Sequence, residues 1–197
     1  MRIVILGPDG SGKSSVISGL LVRLSGMRPE IRTRHLKPRL VAWRGSSADA
    51  NSVDPHGRQP RSAPASLAKI CIWFLEEWYA WFFLENRKAL LICDRYYHDL
   101  LVDPRRYRYG GPMWAARLVA ELMPQPRLWV LLDAPTEVLR ARKQEVSIEE
   151  TARQRDAYRV FVRTQRNHLI VDASQTLQSV IDDLERAVSR LASGDES

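Results

Sequence analysis

Short apolar runs alternate with stretches of helical periodicity along the chain. Five runs have the length and composition of buried strands, namely residues 3–6, 33–36, 89–93, 128–132 and 169–171. Apolar residues recur at helical spacing over residues 14–24, 67–87, 113–122, 136–143, 148–165 and 177–191. This alternation predicts an α/β fold, in which helices cover both faces of a parallel sheet.

The length of 197 residues fits a single domain spanning 1–197. Residues 44–66 interrupt the pattern, because they are rich in Ser, Ala, Pro, Gly, Asp and Arg and have no periodicity. We expect a long mobile loop there. Such a loop would either cover a substrate or be a plain insertion.

A glycine-rich segment follows the first strand directly. Residues 7–14 fit the pattern Gly-x-x-x-x-Gly-Lys-Ser, with a strand before it and an amphipathic stretch after it, which is the context of a phosphate-binding P-loop. Glycines permit the positive φ angles that turn backbone N–H groups toward an anion. Lys13 would then contact the β- and γ-phosphates, and the Ser14 hydroxyl would ligate Mg²⁺. The alternative is a strand-to-helix turn that holds no ligand.

Charged residues at two later strand ends extend this chemistry. Asp94 and Arg95 follow the strand at 89–93, where a carboxylate can hold Mg²⁺ and an arginine can bind a second phosphate group. Arg140 and Arg142 lie in the helix after the strand at 128–132, where they would stabilise charge on a transferred phosphoryl group. Arg153 and Arg155 are weaker candidates for that role. The alternatives are an Asp-Arg surface pair and solvated helix charges.

The overall charge supports a phosphate ligand without requiring one. The net charge is +7, with 25 Arg against 5 Lys, and arginine favours bidentate contacts to phosphate. Genomic codon usage would explain the same excess. We do not expect nucleic-acid binding, because no basic run is interleaved with aromatic residues.

The remaining composition predicts a cytoplasmic protein. We expect no export signal, because the apolar run at 3–6 is only four residues long and leads at once into the glycine loop. We expect no membrane span, since the most apolar stretch, 70–84, is short and contains Glu76 and Glu77. Cys71 and Cys93 have apolar neighbours and no metal-site spacing, so both are predicted to be reduced core residues. The aromatic-rich helix at 67–87 predicts a core face or the interface of a homodimer, and a few of its rings could stack on a substrate.

Four sequence blocks in order along the chain resemble the thymidylate kinase family of nucleoside monophosphate kinases. They are GPDGSGKSS at 7–15, DRY at 94–96, LLDAPTEVLRARK at 131–143 and IVDASQTLQSV at 170–180. The resemblance implies a P-loop three-layer sandwich with a five-stranded parallel sheet of order 2-3-1-4-5, and the cofactors ATP and Mg²⁺.

The same resemblance implies roles for individual residues. Gly7, Gly10, Ser11, Gly12, Lys13, Ser14 and Ser15 would bind the ATP phosphates, and Asp9 would lie near the metal or the acceptor phosphate. Arg95 would bind the acceptor phosphate, and Arg140 and Arg142 would lie in or beside a short lid at 142–157. Ala173 and Ser174 would lie near the adenine.

Two segments depart from the family pattern. After the second strand the family carries an Arg-Glu-Pro-Gly-Gly-like segment, whereas this chain has RHLKPR at 34–39, which places Lys37 and Arg39 near the acceptor. Where the family has small residues after the Asp-Arg-Tyr block, this chain has an Arg- and Tyr-rich segment at 97–112.

From the resemblance, the leading hypothesis is a kinase of a nucleoside monophosphate such as dTMP. A kinase of a non-nucleotide acceptor and a non-catalytic nucleotide-binding protein remain as alternatives.

Overall fold

The five strands form one parallel sheet in the order β2-β3-β1-β4-β5. In the computed structural model, which describes residues 1–26, 30–36, 59–84, 89–144 and 146–193, the strands are β1 (Arg2–Leu6), β2 (Ile31–His35), β3 (Leu90–Asp94), β4 (Leu128–Asp133) and β5 (His168–Asp172). The central strand β1 pairs with β3 on one side and with β4 on the other. The predicted α/β fold and the predicted strand order are confirmed.

Seven α-helices and one π-helical turn occur within the described ranges. They are α1 (Lys13–Leu24), α2 (Ala63–Tyr79), the π-helical turn (Ala80–Leu84), α3 (Asp99–Val102), α4 (Met113–Glu121), α5 (Thr136–Arg142), α6 (Ile148–Arg163) and α7 (Leu177–Ser193). None of these described helices is both long and apolar enough to cross a membrane.

The chain divides into two compact units. The first comprises Met1–Arg34, Arg87–Asp94 and Pro126–Ser197, and the second comprises His35–Asn86 and Arg95–Gln125. The first unit therefore carries the sheet with α1, α5, α6 and α7, and the second carries α2, α3 and α4. The expectation of one kinase domain over 1–197 stays a prediction.

Helices cover both faces of the sheet in the first unit. Leu128, Val130 and Leu132 of β4 belong to the buried core that also contains side chains of α1 and α7. The intervening Trp129 instead packs edge-on against Phe161 of α6, with ring centroids 5.2 Å apart. Since alternate strand residues point to opposite faces, α6 lies on the side of the sheet away from α1 and α7.

The start of α2 corrects the predicted loop boundary. Residues 63–66 of the expected loop at 44–66 are helical, because Pro64 suits the first helical turn, where a missing N–H costs nothing. Residues 44–58 lie outside the described residues, as do Lys37 and Arg39. At its other end the predicted helix 67–87 changes to π-helical geometry at Ala80, and residues 85–87 lie outside the described residues.

Aromatic contacts organise the second unit. Trp73 of α2 is buried and meets the rings of Tyr97 and Tyr107 edge-on, with centroids 6.0 and 5.4 Å away. Trp78 donates a hydrogen bond of 3.0 Å from Nε1 to the carbonyl of Leu122, which joins α2 to the end of α4. Cys71 of α2 is exposed, so its predicted core position is wrong, whereas Cys93 in β3 is buried as expected.

A buried histidine makes the second unit sensitive to acid. His98 is 5% exposed, and its ring stacks on Tyr96 with centroids 5.6 Å apart. Loss of hydration lowers the pKa of His98 to about 4, and a hydrogen bond to the backbone of Ala120 opposes this only in part. The imidazole is therefore neutral in the folded protein at pH values where an unfolded histidine is already charged.

Lowering the pH from 7.5 to 5 should destabilise the second unit by about 2 kcal/mol through His98 alone. The pKa of His98 is lower in the folded state than in the unfolded state, so protons bind the unfolded chain preferentially below the unfolded value of about 6.5. Stability is thus complete above that pH and is lost on acidification until the folded pKa is reached. Urea unfolding of the wild type and of His98→Gln at both pH values measures this loss. An equal pH dependence in the two proteins would contradict the assignment to His98.

Candidate phosphate-binding site

The glycine loop after β1 takes a conformation that L-residues with side chains rarely adopt. Gly10 and Gly12 have φ values of 85° and 84°, and Gly7 has 153°. Gly12 is also the N-cap of α1, with ψ at 16°, in the left-handed region. The two glycines of the Gly-x-x-x-x-Gly pattern therefore frame a loop whose backbone passes through positive φ, as its sequence predicts.

Two glycines of the loop also lie against neighbouring backbone. A Cβ added at Gly7 would lie 2.7 Å from the carbonyl oxygen of Leu132 in β4, and one at Gly10 would clash with the carbonyl oxygen of Leu139 in α5. A Cβ at Gly12 would meet nothing within 4 Å. The loop is therefore packed between the end of β4 and the backbone of α5, and it is open at Gly12.

The Lys13 side chain folds back over this loop. Its ammonium donates hydrogen bonds to the carbonyls of Gly7 at 2.7 Å and Pro8 at 2.9 Å, and to the hydroxyl of Ser11 at 3.3 Å. Lys13 and Ser11 are both buried. A buried ammonium is tolerated only where acceptors replace its hydration, so these contacts fix the positive charge at the loop.

Helix α1 begins directly after this loop, with Gly12 as its N-cap. Its N-cap makes no side-chain hydrogen bond, and no acidic residue occurs in the first turn. Helix α6, by contrast, has the cap Ser147, which accepts from the Glu150 N–H, and carries Glu149 and Glu150 in its first turn. The start of α1 therefore keeps the polarity that attracts an external anion, with Ser14 and Ser15 exposed beside it.

Asp94 lies at the strand end next to the loop. It pairs in register with Ile5 of β1, two residues before Gly7. Parallel pairing thus brings the Asp94 carboxylate to the same edge of the sheet as the loop. A carboxylate at this edge, the Ser14 hydroxyl and Asp9 within the loop are the residue types that hold Mg²⁺ together with phosphate oxygens.

Asp133 gathers two arginines at the end of β4. Its carboxylate accepts from Nε of Arg155 at 2.7 Å and from Nη2 of the same residue at 3.2 Å. Nε of Arg159, one turn further along α6, lies 3.3 Å from the same carboxylate. The hydrogen bond with Asp133 is the main reason that the pKa of Arg155 is raised. Asp133 directly follows Leu132, whose carbonyl lies against Gly7. The cluster of Asp133, Arg155 and Arg159, which has a net charge of +1, therefore lies beside the glycine loop.

The last turn of α5 is tied to the segment after β5. Nη1 of Arg142 donates to the carbonyl of Ala173 at 2.8 Å, and the Ala173 N–H donates to the carbonyl of Asp133 at 2.6 Å. Ser174 donates from its N–H and its hydroxyl to the Asp172 carboxylate, at 2.9 and 2.6 Å, which lowers the pKa of Asp172. These contacts bring together Arg142, which the resemblance places in or beside the lid, and Ala173 and Ser174, which it places near the adenine.

Two other arginines of the predicted lid make local contacts. Arg140 donates to the carbonyl of Val146, which holds the connection between α5 and α6. Arg153 forms an exposed bidentate pair with Glu150, at 2.8 and 2.6 Å, so it has the surroundings of a solvated helix charge. Of the two weaker candidates, only Arg155 lies at the strand ends.

Arg95 belongs to the second unit and has a network of its own. Its backbone has a φ of 68°, which is uncommon for a residue with a side chain and costs about 1 kcal/mol. Nη1 of Arg95 donates to the Asp99 carboxylate at 2.6 Å, and the Tyr107 hydroxyl donates to the same oxygen at 2.6 Å. Asp99 is fully buried. The guanidinium therefore has a fixed position, set by a buried carboxylate.

Comparison with known proteins does not assign the chain. No family model matches the sequence, and no curated protein matches it. The geometry of the strand ends is therefore the basis for any functional proposal.

Sequence reasoning missed the partners that hold the predicted residues in place. Asp99 and Tyr107, which fix Arg95, lie in the divergent segment 97–112. Arg159 was missed although it lies four residues after Arg155, a spacing that places both on one helix face. The carbonyls of Leu132 and Leu139 leave no sequence signal, because any residue provides the same backbone oxygen.

The loop geometry predicts different costs for two glycine substitutions. Gly12→Ala should lower the free energy of unfolding by about 1 kcal/mol, because positive φ is its main penalty. Gly10→Ala should lower it by roughly 2–4 kcal/mol, since its Cβ also meets the Leu139 carbonyl and the backbone must shift. Urea unfolding of both variants measures the difference. Equal losses would contradict the close packing of the loop against α5.

Proposed function

We propose that the chain is an ATP-dependent phosphotransferase similar to thymidylate kinase, which transfers the γ-phosphoryl group of ATP to a nucleoside monophosphate such as dTMP. The observation that carries the proposal is the glycine loop at the uncapped start of α1, with the Lys13 ammonium fixed over it. A loop with positive-φ glycines, a helix N-terminus and a buried lysine is suited to a polyphosphate.

In this proposal the strand ends share the work of phosphoryl transfer. Residues 7–15 bind the β- and γ-phosphates of ATP, and Ser14, Asp94 and Asp9 hold Mg²⁺, which neutralises charge on those phosphates when it is bound. The link between Arg142 and Ala173 supports an ATP site that extends from the loop toward the end of β5. Ala173 and Ser174 would border the adenine there.

In this proposal, arginines stabilise the negative charge that develops on the phosphoryl group during its transfer. Helix α5 contacts the loop at Gly10 through the carbonyl of Leu139, so Arg140 and Arg142 are carried by an element that touches the phosphate loop. A guanidinium has five N–H donors, and one bond to a carbonyl leaves donors for phosphate oxygens. Arg155, held by Asp133, is a further candidate for this role. Arg95 is assigned to the acceptor phosphate.

One observation favours the second candidate function, phosphorylation of a non-nucleotide acceptor. Arg95 forms an ion pair with the fully buried carboxylate of Asp99. The positive charge that would bind an acceptor phosphate is therefore already compensated. An acceptor hydroxyl requires less positive charge than a nucleotide phosphate does, and Asp94 or Asp9 could orient it.

The two free thiols, Cys71 and Cys93, fit a cytoplasmic setting for either kinase.

An acceptor panel distinguishes these functions. We expect purified protein with ATP and Mg²⁺ to convert at least one nucleoside monophosphate, with dTMP tested first, to the diphosphate. Separation of nucleotides by anion exchange identifies both ADP and the phosphorylated product. ADP formed only with a sugar or another hydroxyl acceptor would replace the leading function by the second. ATP binding without turnover on any acceptor would replace both by a nucleotide-binding protein.

Removing the Lys13 ammonium should abolish turnover on whichever acceptor is used. Lys13→Ala should lower kcat at least about 100-fold, because it removes the fixed positive charge that would stabilise the transferred phosphoryl group. Arg186→Ala is the control, since Arg186 is exposed on α7 and pairs only locally with Asp183; we expect its activity to be unchanged. Circular dichroism establishes that both variants are folded. Turnover of Lys13→Ala near the wild-type rate would contradict the phosphate-loop assignment.

A further inference from the structure

The backbone of Arg95 has a conformation that the residue itself does not favour. Its φ of 68° lies in the left-handed region, where the Cβ atom crowds the following carbonyl. Among the described residues, Arg108 is the other non-glycine residue with a positive φ. Such a conformation persists only where the surrounding structure holds it, and it occurs most often at functional sites. The contacts of the Arg95 side chain are therefore the place to look for a function.

A single oxygen of Asp99 holds the Arg95 guanidinium. Nη1 of Arg95 donates to Oδ2 of Asp99 at 2.6 Å, and the Tyr107 hydroxyl donates to that same oxygen at 2.6 Å. Hydrogen bonds to an ionised carboxylate are short and strong, as both of these are. The Asp99 side chain has no exposed surface, whereas 7% of the Arg95 side chain is exposed. A ligand that reaches this ion pair therefore contacts the arginine and not the carboxylate.

The Tyr107 hydroxyl affects how strongly the carboxylate draws the arginine. A carboxylate oxygen accepts through two lone pairs, and at Oδ2 of Asp99 the hydroxyl and the guanidinium share them. A buried acceptor that loses a partner costs free energy, so without the hydroxyl Asp99 would depend more on Arg95. The guanidinium would then be drawn closer to the buried carboxylate and away from a ligand.

Helix α2 fixes Tyr107 from another side. The Tyr107 ring meets the buried Trp73 ring edge-on, with centroids 5.4 Å apart. The Tyr107 carbonyl accepts from the Lys69 ammonium at 2.7 Å, and this ammonium also lies 4.6 Å from the centre of the Trp73 ring. The hydroxyl therefore has a defined place, and a series of contacts leads from α2 through Tyr107 and Asp99 to Arg95.

We propose that Tyr107 is a positioning residue for a phosphate-bearing acceptor and acts on Arg95 through Asp99. This inference rests on the proposed function, because Arg95 is there assigned to the acceptor phosphate. The hydroxyl limits the pull of the carboxylate and keeps the guanidinium in place for the phosphate group. Since the arginine is ordered beforehand, less conformational entropy is lost when the acceptor binds.

Removal of one hydroxyl group tests this role. Tyr107→Phe keeps the ring against Trp73 and removes the hydrogen bond to Asp99. With the nucleoside monophosphate that the protein converts best, we expect the acceptor KM to rise at least about fivefold, because the lost bond involves a charged group. The kcat and the KM for ATP should stay within about twofold of wild type, since the contact with the acceptor is lost in the ground state and the transition state alike. Calorimetric titration with the same nucleotide should show the same loss of affinity.

Tyr109 provides a matched control in the same segment. Its hydroxyl donates to the carbonyl of Pro112 at 3.0 Å. Tyr109→Phe should therefore leave kcat and both KM values unchanged. An equal rise of the acceptor KM in Tyr109→Phe would indicate a general loosening of the segment and would overturn the role of Tyr107. Circular dichroism establishes that the variants are folded.

A double substitution tests whether Tyr107 acts through Arg95. Arg95→Gln should raise the acceptor KM more than Tyr107→Phe does. Adding Tyr107→Phe to Arg95→Gln should change the acceptor KM less than about twofold, because the hydroxyl then has no guanidinium to position. A full fivefold effect of Tyr107→Phe in the Arg95→Gln protein would contradict this route.

Two further results separate this inference from the proposed function. If Arg95→Gln raises the acceptor KM but Tyr107→Phe leaves it within twofold of wild type, the proposed function stands and the role of Tyr107 is wrong. If no nucleoside monophosphate binds or is converted, the proposed function fails, and the positioning role fails with it.

Discussion

The parallel pairing of β1 with both β3 and β4 is the constraint on which the candidate site depends. Because the three strands run in the same direction, the glycine loop, Asp94 and Asp133 all follow strand ends at one edge of the sheet. Gly7 then lies close to the Leu132 carbonyl, and Gly10 lies close to the Leu139 carbonyl. Side chains at these positions would push β4 and α5 away, so the loop and its surroundings fit together only with glycine.

Two arginines beside the same edge, Arg142 and Arg155, are held by a backbone carbonyl and by Asp133. Arginine side chains have many conformations, and a binding site loses free energy when it must order them on ligand binding. Arg142 is held by Ala173, and Arg155 is held by two oxygens of Asp133. If the chain is the phosphotransferase proposed above, much of that ordering is complete before a phosphate binds. Such preorganisation is how positive charge becomes effective in phosphoryl transfer.

The sequence predicts the three central strands β1, β3 and β4 well, because they are buried on both faces and read as continuous apolar runs. The predicted runs at 89–93 and 128–132 differ from β3 and β4 by one residue at most at either end. The loop glycines and Lys13 were predicted for the same local reason, since their spacing follows from the loop itself. Partners such as Asp133 and Arg155, or Arg142 and Ala173, lie far apart in the sequence and depend on tertiary contacts that no local pattern contains.

The exposure of Cys71 shows what apolar periodicity does not predict. A periodic apolar stripe indicates that one face of a helix avoids water, but not which body covers that face. For α1 the answer is the core of the same chain, and the side chains of Leu20 and Leu24 are buried there. For α2 the buried face carries Trp73 together with Glu76 and Glu77, whereas the apolar stripe with Cys71 is exposed. The prediction at Cys71 failed because its apolar neighbours were interpreted as the chain's own core. The structure instead leaves this stripe exposed, on a helix whose inner face contacts the ring of Tyr107 and, through it, the carboxylate that fixes Arg95.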